Sequence, residues 1–303
     1  IAKNTITLHP GESKEIWLSV CGRSADPGNY DFRVTLSDPA SKKGPAFLPL
    51  RVKVWPAAFP NPQNVKVNNW AYLNWRPVER IPDIAVRDLY EHHVNVFVVH
   101  PIQLPWPALT MPGKALTRPK EDELGRVAKA FKKNGTLLLY LGFNDKEWRS
   151  RISSQPFLGR EWKAAFGRWI KDTVQHLSKQ GYSYDRFAVY PVDEPKNRDE
   201  IDCLLNCAAL IKGVDAKIRV YTTLGTLSGK DLANAVKVVD IFQVLVSELS
   251  SENVTALINS KKEVWSYTAE GGGKKANPFH FYRLQAWKAF RSNAKGIGFW
   301  AYA

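Results

Sequence analysis

The feature of this sequence that most constrains its fold is an alternation of strand and helix patterns that begins at residue 65. Eight short apolar or alternating segments are separated by longer segments with helical periodicity, as in α/β proteins with a parallel sheet. The predicted strands are residues 65–75, 94–100, 136–143, 187–192, 217–223, 239–246, 263–268 and 296–302. The predicted helices are residues 81–93, 120–134, 160–180, 198–212, 229–236, 251–259 and 278–293.

Eight strands with seven intervening helices predict an α/β fold of the (β/α)8 TIM-barrel type, whose closing helix is absent because the chain ends after the eighth strand. The alternative is a doubly wound open sheet, which would place a glycine-rich phosphate loop after an early strand. The three glycines Gly271-Gly272-Gly273 follow the seventh strand instead and lack the required spacing. The barrel is therefore the expected fold.

The segment before the barrel, residues 1–56, has a different, β-rich character. Four strands are predicted there, at residues 5–10, 14–21, 30–37 and 47–55, with turn-forming sequences between them. A free-standing sandwich has about seven strands, so we expect a partial β-sandwich domain. Residues 57–62 form a proline-rich linker, and residues 63–303 form the barrel domain.

The net charge of +14 favours an anionic partner or surface. Lysine pairs such as Lys42-Lys43 are scattered, however, and no nucleic-acid-binding motif accompanies them, so nucleic acid is not an expected partner. An acidic glycan or a solvated basic surface explains the charge. No apolar run is long enough to span a membrane. The cysteines and histidines show no metal-ligand spacing, so neither a metal nor a cofactor is expected.

The triplet Asp193-Glu194-Pro195 directly follows the predicted fourth strand. Barrel active sites lie at the carboxyl ends of the strands, which is where this carboxylate pair falls. Neighbouring strand residues point to opposite sides, so both carboxylates can face one pocket only if the chain turns there, and Pro195 makes a break in the strand plausible. The alternative is that Asp193 caps the next helix and Glu194 is a solvated residue of its first turn.

Other polar and aromatic residues fall at the carboxyl ends of predicted strands, and a ring of carboxylates and aromatic side chains suits glycoside hydrolysis. Alternation along the eighth strand places Trp300 and Tyr302 on one face, whereas Trp265 and Trp287 are expected in the core. The candidate substrate-binding residues are Trp75, His100, Asn144, Tyr190, Tyr267, Trp300 and Tyr302.

The chain resembles glycoside hydrolase family 123 and its sandwich-plus-barrel relatives. The resemblance lies in the order of the two domains, in Tyr190-Pro191-Val192-Asp193-Glu194-Pro195, and in a closing run from Glu263 to Tyr302. It implies substrate-assisted, retaining hydrolysis of β-linked N-acetylgalactosamine, and hence a carbohydrate partner. It also implies that Glu194 is the acid/base and that Asp193 orients the 2-acetamido group, which attacks the anomeric carbon.

A second reading gives Glu194 another partner. Glu270 follows the seventh strand, and an acid on strand four with a glutamate nucleophile on strand seven resembles the retaining barrel glycosidases that work by double displacement. A third reading is a non-catalytic barrel that only binds carbohydrate. We expect a secreted, periplasmic or cell-surface location.

Overall fold

The computed structural model describes residues 5–16, 18–22, 25–38, 44–57, 65–71, 78–107, 110–111, 114–115, 123–131, 135–269 and 284–302. The chain divides into two compact units, Ile1–Asn61 and Pro62–Ala303. No helix in the described ranges is both long enough and apolar enough to cross a bilayer.

The first unit contains an antiparallel ribbon of two strands, β1 (Gly28–Leu36) and β2 (Ala46–Val54). The strands predicted at residues 30–37 and 47–55 correspond to this ribbon. The strands predicted at residues 5–10 and 14–21 are wrong, because the described backbone from 5 to 22 is irregular. A strand needs a neighbour for its backbone hydrogen bonds, and in the described part of this unit β1 and β2 pair with each other alone.

The second unit contains a sheet of eight parallel strands, and the predicted (β/α)8 barrel is confirmed. A bridge between Val189 and Val220 joins the two ends of this sheet, which rules out an open doubly wound sheet. In their order around the barrel the strands are β8 (Phe187–Tyr190), β7 (Thr136–Tyr140), β4 (Val96–Val99), β3 (Lys66–Ala71), β12 (Gly296–Tyr302), β11 (Glu263–Thr268), β10 (Ile241–Leu245) and β9 (Tyr221–Thr223).

Helices lie between consecutive barrel strands along the chain, in the order that the sequence predicts. The helices are α1 (Pro82–Glu91), α2 (Glu123–Ala130), α3 (Lys146–Ser150), α4 (Arg160–Lys179), α5 (Arg198–Val214), α6 (Gly229–Val238), α7 (Glu252–Asn259) and α8 (Leu284–Arg291). Between β4 and α2, β5 (Thr110–Met111) pairs with β6 (Lys114–Ala115). The short helix α3 was not predicted; Asp145 starts it by accepting a hydrogen bond from the Glu147 amide at 2.8 Å.

The core has two layers because side chains alternate along each barrel strand. Val96 and Val98 of β4 belong to the cluster inside the barrel, whereas Phe97 and Val99 pack in the cluster between sheet and helices. Trp265 is fully buried in the inner cluster, as predicted. The prediction for Trp287 is wrong: it is 64% exposed, because the buried positions of α8 are Gln285 and Ala289 on another face.

Candidate active site

A cavity of about 290 Å³ lies at the mouth of the barrel, where the carboxyl ends of the strands meet. Its lining comes from β3, from the segment after β8, and from β9, β10, β11 and β12 with the residue that follows β11. The lining residues are Asn68, Trp70, Asp193, Glu194, Tyr221, Thr223, Gln243, Tyr267, Ala269, Phe299 and Trp300.

The structure brings four of the predicted site residues into this one cavity: Asp193, Glu194, Tyr267 and Trp300. His100, Asn144 and Tyr190 lie close to the cavity lining without being part of it, as described below. Trp75 and Glu270 fall outside the described residues, and so does the side chain of Tyr302. The pairing of β12 with β3 shifts register between Trp300 and Tyr302. The prediction that Trp300 and Tyr302 share one face assumed a regular strand, and this irregularity interrupts the alternation of side chains there.

The chain turns sharply at the carboxylate pair, as a shared pocket requires. Glu194 has a φ of +40°, in the left-handed region that residues other than glycine rarely adopt. Such a conformation costs about 1–3 kcal/mol and persists where the surroundings enforce it, commonly at functional sites. The turn allows Asp193 and Glu194, although adjacent in sequence, to line the same cavity.

Side chains from two neighbouring strand ends hold this turn. The Asn144 amide donates to the Asp193 carbonyl at 2.7 Å, and its oxygen accepts from the Asp193 backbone N–H at 2.8 Å. On the other side, Thr223 Oγ1 accepts from the Glu194 N–H at 2.5 Å and donates to Asp193 Oδ1 at 3.1 Å. Asn144 is thus a positioning residue for the backbone of the pair.

Pro195 is fixed from a third direction by the loop after β9. The Pro195 carbonyl accepts hydrogen bonds from the Thr226 N–H at 3.0 Å and from its hydroxyl at 2.9 Å. Gly225 crosses directly over the proline: a Cβ added there would lie 2.6 Å from the Pro195 oxygen, and its φ is +55°. Both the close approach and the left-handed conformation require glycine.

Replacing Gly225 with alanine is expected to lower the free energy of unfolding by about 2 kcal/mol, because the new Cβ meets fixed backbone in a strained conformation. Denaturant titration measures this change. Gly213→Ala is the matched control, since nothing lies within 4 Å of a Cβ at this position of α5 and alanine favours helix. Equal stability of the two variants would contradict the assigned role of Gly225.

Asp193 is half-buried at the edge of the cavity. Burial raises its pKa above the ordinary value, and the nearby charge of Glu194 acts in the same direction. Hydrogen bonds from Tyr190 and Thr223 to Asp193 Oδ1 oppose the rise. The ring of Tyr190 is fully buried inside the barrel, so this residue supports the carboxylate from below.

Glu194 is also half-buried, with 35% of its side chain exposed. Its Oε1 accepts a hydrogen bond from the Tyr267 hydroxyl at 2.6 Å, and its Oε2 lies 3.3 Å from the ammonium of Lys196. Burial, together with the hydrogen bond to Glu194, raises the pKa of Tyr267, so its hydroxyl stays protonated as a donor. The two carboxyls therefore differ in their hydrogen-bond and ion-pair partners.

Aromatic rings form one wall of the cavity. Trp70 and Trp300 are register partners on β3 and β12, and Trp300 is 51% exposed. The Trp70 ring packs edge-on against the rings of His100 and Tyr190, with ring centroids 5.6 Å and 6.1 Å apart, respectively. His100 is buried behind this wall, where its Nε2 lies 3.2 Å from the Ala71 carbonyl, and burial lowers its pKa to about 4. It is held neutral and packs against a cavity residue.

Sequence reasoning missed the polar residues at the bottom of the cavity, Asn68, Tyr221 and Gln243. A signal existed for Gln243, which interrupts the otherwise apolar strand β10, and a buried amide needs hydrogen-bond partners. Within the described ranges, no three histidine, cysteine, aspartate or glutamate side chains are grouped as metal ligands would be.

Neither a comparison with models of protein families nor one with curated proteins gives a match. Solved structures do match. A GH39 β-xylosidase from Caulobacter crescentus has a TM-score of 0.53 at 16% identity, covering 81% of this chain and 64% of that one. A monomeric β-xylosidase from the same organism has a TM-score of 0.52 at 13% identity, covering 78% and 59%. A β-1,4-D-mannanase from Cryptopygus antarcticus has a TM-score of 0.51 at 11% identity, covering 79% and 83%.

This chain spans less than two thirds of either xylosidase structure, and the identities are low. Similarity at this level establishes a common fold. The chain shares its (β/α)8 barrel with these glycosidases.

Proposed function

We propose that this protein is a glycoside hydrolase that acts on β-linked, N-acetylated hexosaminides with retention, by substrate-assisted catalysis. The observation that carries the proposal is the pair of adjacent carboxyls, Asp193 and Glu194, that a strained turn directs into one cavity at the barrel mouth. The glycosidase neighbours and the resemblance to glycoside hydrolase family 123 support the same class of reaction.

The two carboxyls have different hydrogen-bond partners, which suits two different roles in the reaction. Glu194 protonates the glycosidic oxygen as the bond to the anomeric carbon breaks. Asp193, which Tyr190 and Thr223 hold in place, accepts a hydrogen bond from the N–H of the 2-acetamido group. The acetamido oxygen then attacks the anomeric carbon to form a cyclic oxazolinium intermediate. A water molecule then attacks the anomeric carbon and opens this ring, while Glu194, now a carboxylate, takes a proton from the water.

Tyr267 and the aromatic wall fit the same reaction. The Tyr267 hydroxyl donates to Glu194 at 2.6 Å in the free protein. In the complex it turns to the acetamido oxygen, which releases Glu194 Oε1 for the leaving group. Trp70 and Trp300 offer apolar ring surface against which a sugar ring can stack.

A panel of aryl β-glycosides tests the proposal. We expect hydrolysis of 2-acetamido-2-deoxy hexosides and no detectable hydrolysis of the corresponding 2-hydroxy hexosides, because only the former carry the internal nucleophile. A thiazoline mimic of the intermediate should inhibit competitively, and Glu270→Gln should keep its activity.

The other outcomes distinguish the alternatives. Hydrolysis of 2-hydroxy glycosides, with an inactive Glu270→Gln variant and no thiazoline inhibition, would replace substrate assistance with double displacement through Glu270. Absence of hydrolysis across the panel, together with measurable sugar binding, would show a carbohydrate-binding barrel that has no glycosidase activity.

A further inference from the structure

The two oxygens of the Asp193 carboxyl have different surroundings. Oδ1 accepts hydrogen bonds from the hydroxyls of Tyr190 and Thr223, the latter at 3.1 Å. No described residue donates a hydrogen bond to Oδ2, and the enclosed polar atoms that lack a partner in this part of the chain do not include it. Oδ2 is therefore accessible. Because the two oxygens of a carboxyl diverge, Oδ2 points away from the buried Tyr190, on the side of the cavity that Asp193 lines.

The packing of the Tyr190 ring holds its hydroxyl against the carboxyl. Tyr190 is the last residue of β8 and is fully buried inside the barrel. Its ring lies edge-on against Tyr221, with centroids 4.4 Å apart, and is tilted against Tyr140, with centroids 5.0 Å apart. Tyr190 is absent from the described cavity lining, so its hydroxyl can affect a ligand only through Asp193.

Asp193 lies among groups that act on its charge in opposite directions. Burial and the Glu194 carboxylate raise its pKa, whereas the two hydroxyls on Oδ1 and the ammonium of Lys196 lower it. The phenols of Tyr221 and Tyr267 also lie near this carboxyl, and both stay neutral because burial raises their pKa. Hydrogen bonds to an ionised carboxylate are about twice as strong as those between neutral groups. The two hydroxyls therefore favour the ionised form of Asp193.

We propose that Tyr190 is a positioning residue, which keeps the Asp193 carboxyl ionised and turned so that Oδ2 meets the ligand. This inference rests on the proposed function, in which Asp193 accepts the N–H of the 2-acetamido group. An ionised Asp193 also balances the positive charge that develops on the oxazolinium ring, and a protonated one would not. Thr223 shares this role, since its hydroxyl donates to the same oxygen.

Tyr190→Phe tests the inference, because phenylalanine preserves the ring and removes the hydroxyl. On the aryl 2-acetamido glycoside we expect kcat to fall by about 10- to 100-fold, with a smaller change in KM, because the lost bond supports charge that the transition state needs. The acidic limb of the kcat profile should move to higher pH, since a carboxyl without this donor binds a proton more readily.

Tyr182→Phe is the matched control. Tyr182 is a buried tyrosine whose hydroxyl donates to the Ala128 carbonyl at 2.9 Å, in the cluster between sheet and helices. The control variant thus loses a buried phenol hydrogen bond that is remote from Asp193, and it should keep the wild-type kcat and pH profile.

Carbon-13 NMR of protein labelled at the aspartate carboxyls follows the ionisation of Asp193 without any reaction, and Asp193→Asn identifies its signal. The titration midpoint should lie at higher pH in Tyr190→Phe than in the wild type, and at the wild-type pH in Tyr182→Phe. Thr223→Val removes the other donor to Oδ1 and replaces Tyr190→Phe in this measurement if that variant does not fold.

An unchanged midpoint in the folded variant would overturn the inference, as would a Tyr190→Phe enzyme that keeps the wild-type kcat at every pH. If no glycoside is hydrolysed but the midpoint still moves, Tyr190 holds the carboxyl ionised as inferred, and it is the proposed reaction that fails.

Discussion

Glu194→Gln is expected to lower kcat/KM on an aryl glycoside with a poor leaving group by about 1,000-fold, because glutamine cannot supply the proton that the glycosidic oxygen needs. The substitution preserves size and a hydrogen-bonding oxygen, so Tyr267 keeps its acceptor at this position. The fold should therefore be retained, with an unfolding midpoint close to that of the wild type.

The leaving group provides a sharper test than the loss of activity. A dinitrophenyl leaving group departs without a proton, so Glu194→Gln should lose much less activity on the dinitrophenyl glycoside than on the unactivated one. A structural effect of the substitution would lower both rates equally, and that result would contradict the acid role of Glu194. Glu161→Gln at the exposed start of α4 is the matched control and should retain wild-type rates on both substrates.

The stability of the protein is expected to fall by about 3 kcal/mol between pH 7 and pH 4 through His100 alone. Burial lowers the folded-state pKa of His100 to about 4, against 6.5 for an unperturbed histidine. Between these values the unfolded chain binds a proton that the folded protein excludes. Acid therefore favours unfolding in this window, and the stability present above pH 6.5 is lost as the pH falls through the folded-state pKa.

Urea titrations of the wild type and His100→Gln at pH 7, 6, 5 and 4 measure this contribution. Glutamine can still donate to the Ala71 carbonyl but does not titrate, so the variant should lose about 3 kcal/mol less than the wild type over this range. His9→Gln, in the exposed part of the first unit, is the control and should follow the wild type. Parallel pH profiles for the wild type and His100→Gln would show that His100 is not held neutral.

Much of the barrel could be predicted from the sequence because its strands and helices carry strong local patterns. β11 has the predicted bounds, and α4 differs by one residue, since twenty residues with one apolar face leave little ambiguity. The first unit was harder to predict. Alternating apolar residues near Leu8 and Leu18 match a strand, but a strand also needs a pairing partner, which composition does not reveal.

The candidate site likewise has a part that the sequence predicts and a part that it does not. Its carboxylate pair could be placed because both residues follow a predicted strand, and a parallel barrel gathers the ends of its strands at one mouth. The supporting contacts could not be placed. Asn144 and Thr223 reach the pair from other strands, and the Asn68–Gln243 contact joins residues 175 positions apart.

The sequence by itself determined the strand order along the chain, the barrel and the position of Asp193 and Glu194 at its mouth, because these depend on local periodicity and on one topological rule. The tertiary structure alone decided that Tyr190 and Thr223 hold Asp193 whereas Tyr267 donates to Glu194, and that Tyr190 and His100 lie behind the cavity wall. It also decided that Asn68 donates a hydrogen bond to Gln243 from a different strand of the barrel. Burial and hydrogen-bond partners are set by residues distant in sequence, so no local pattern contains them.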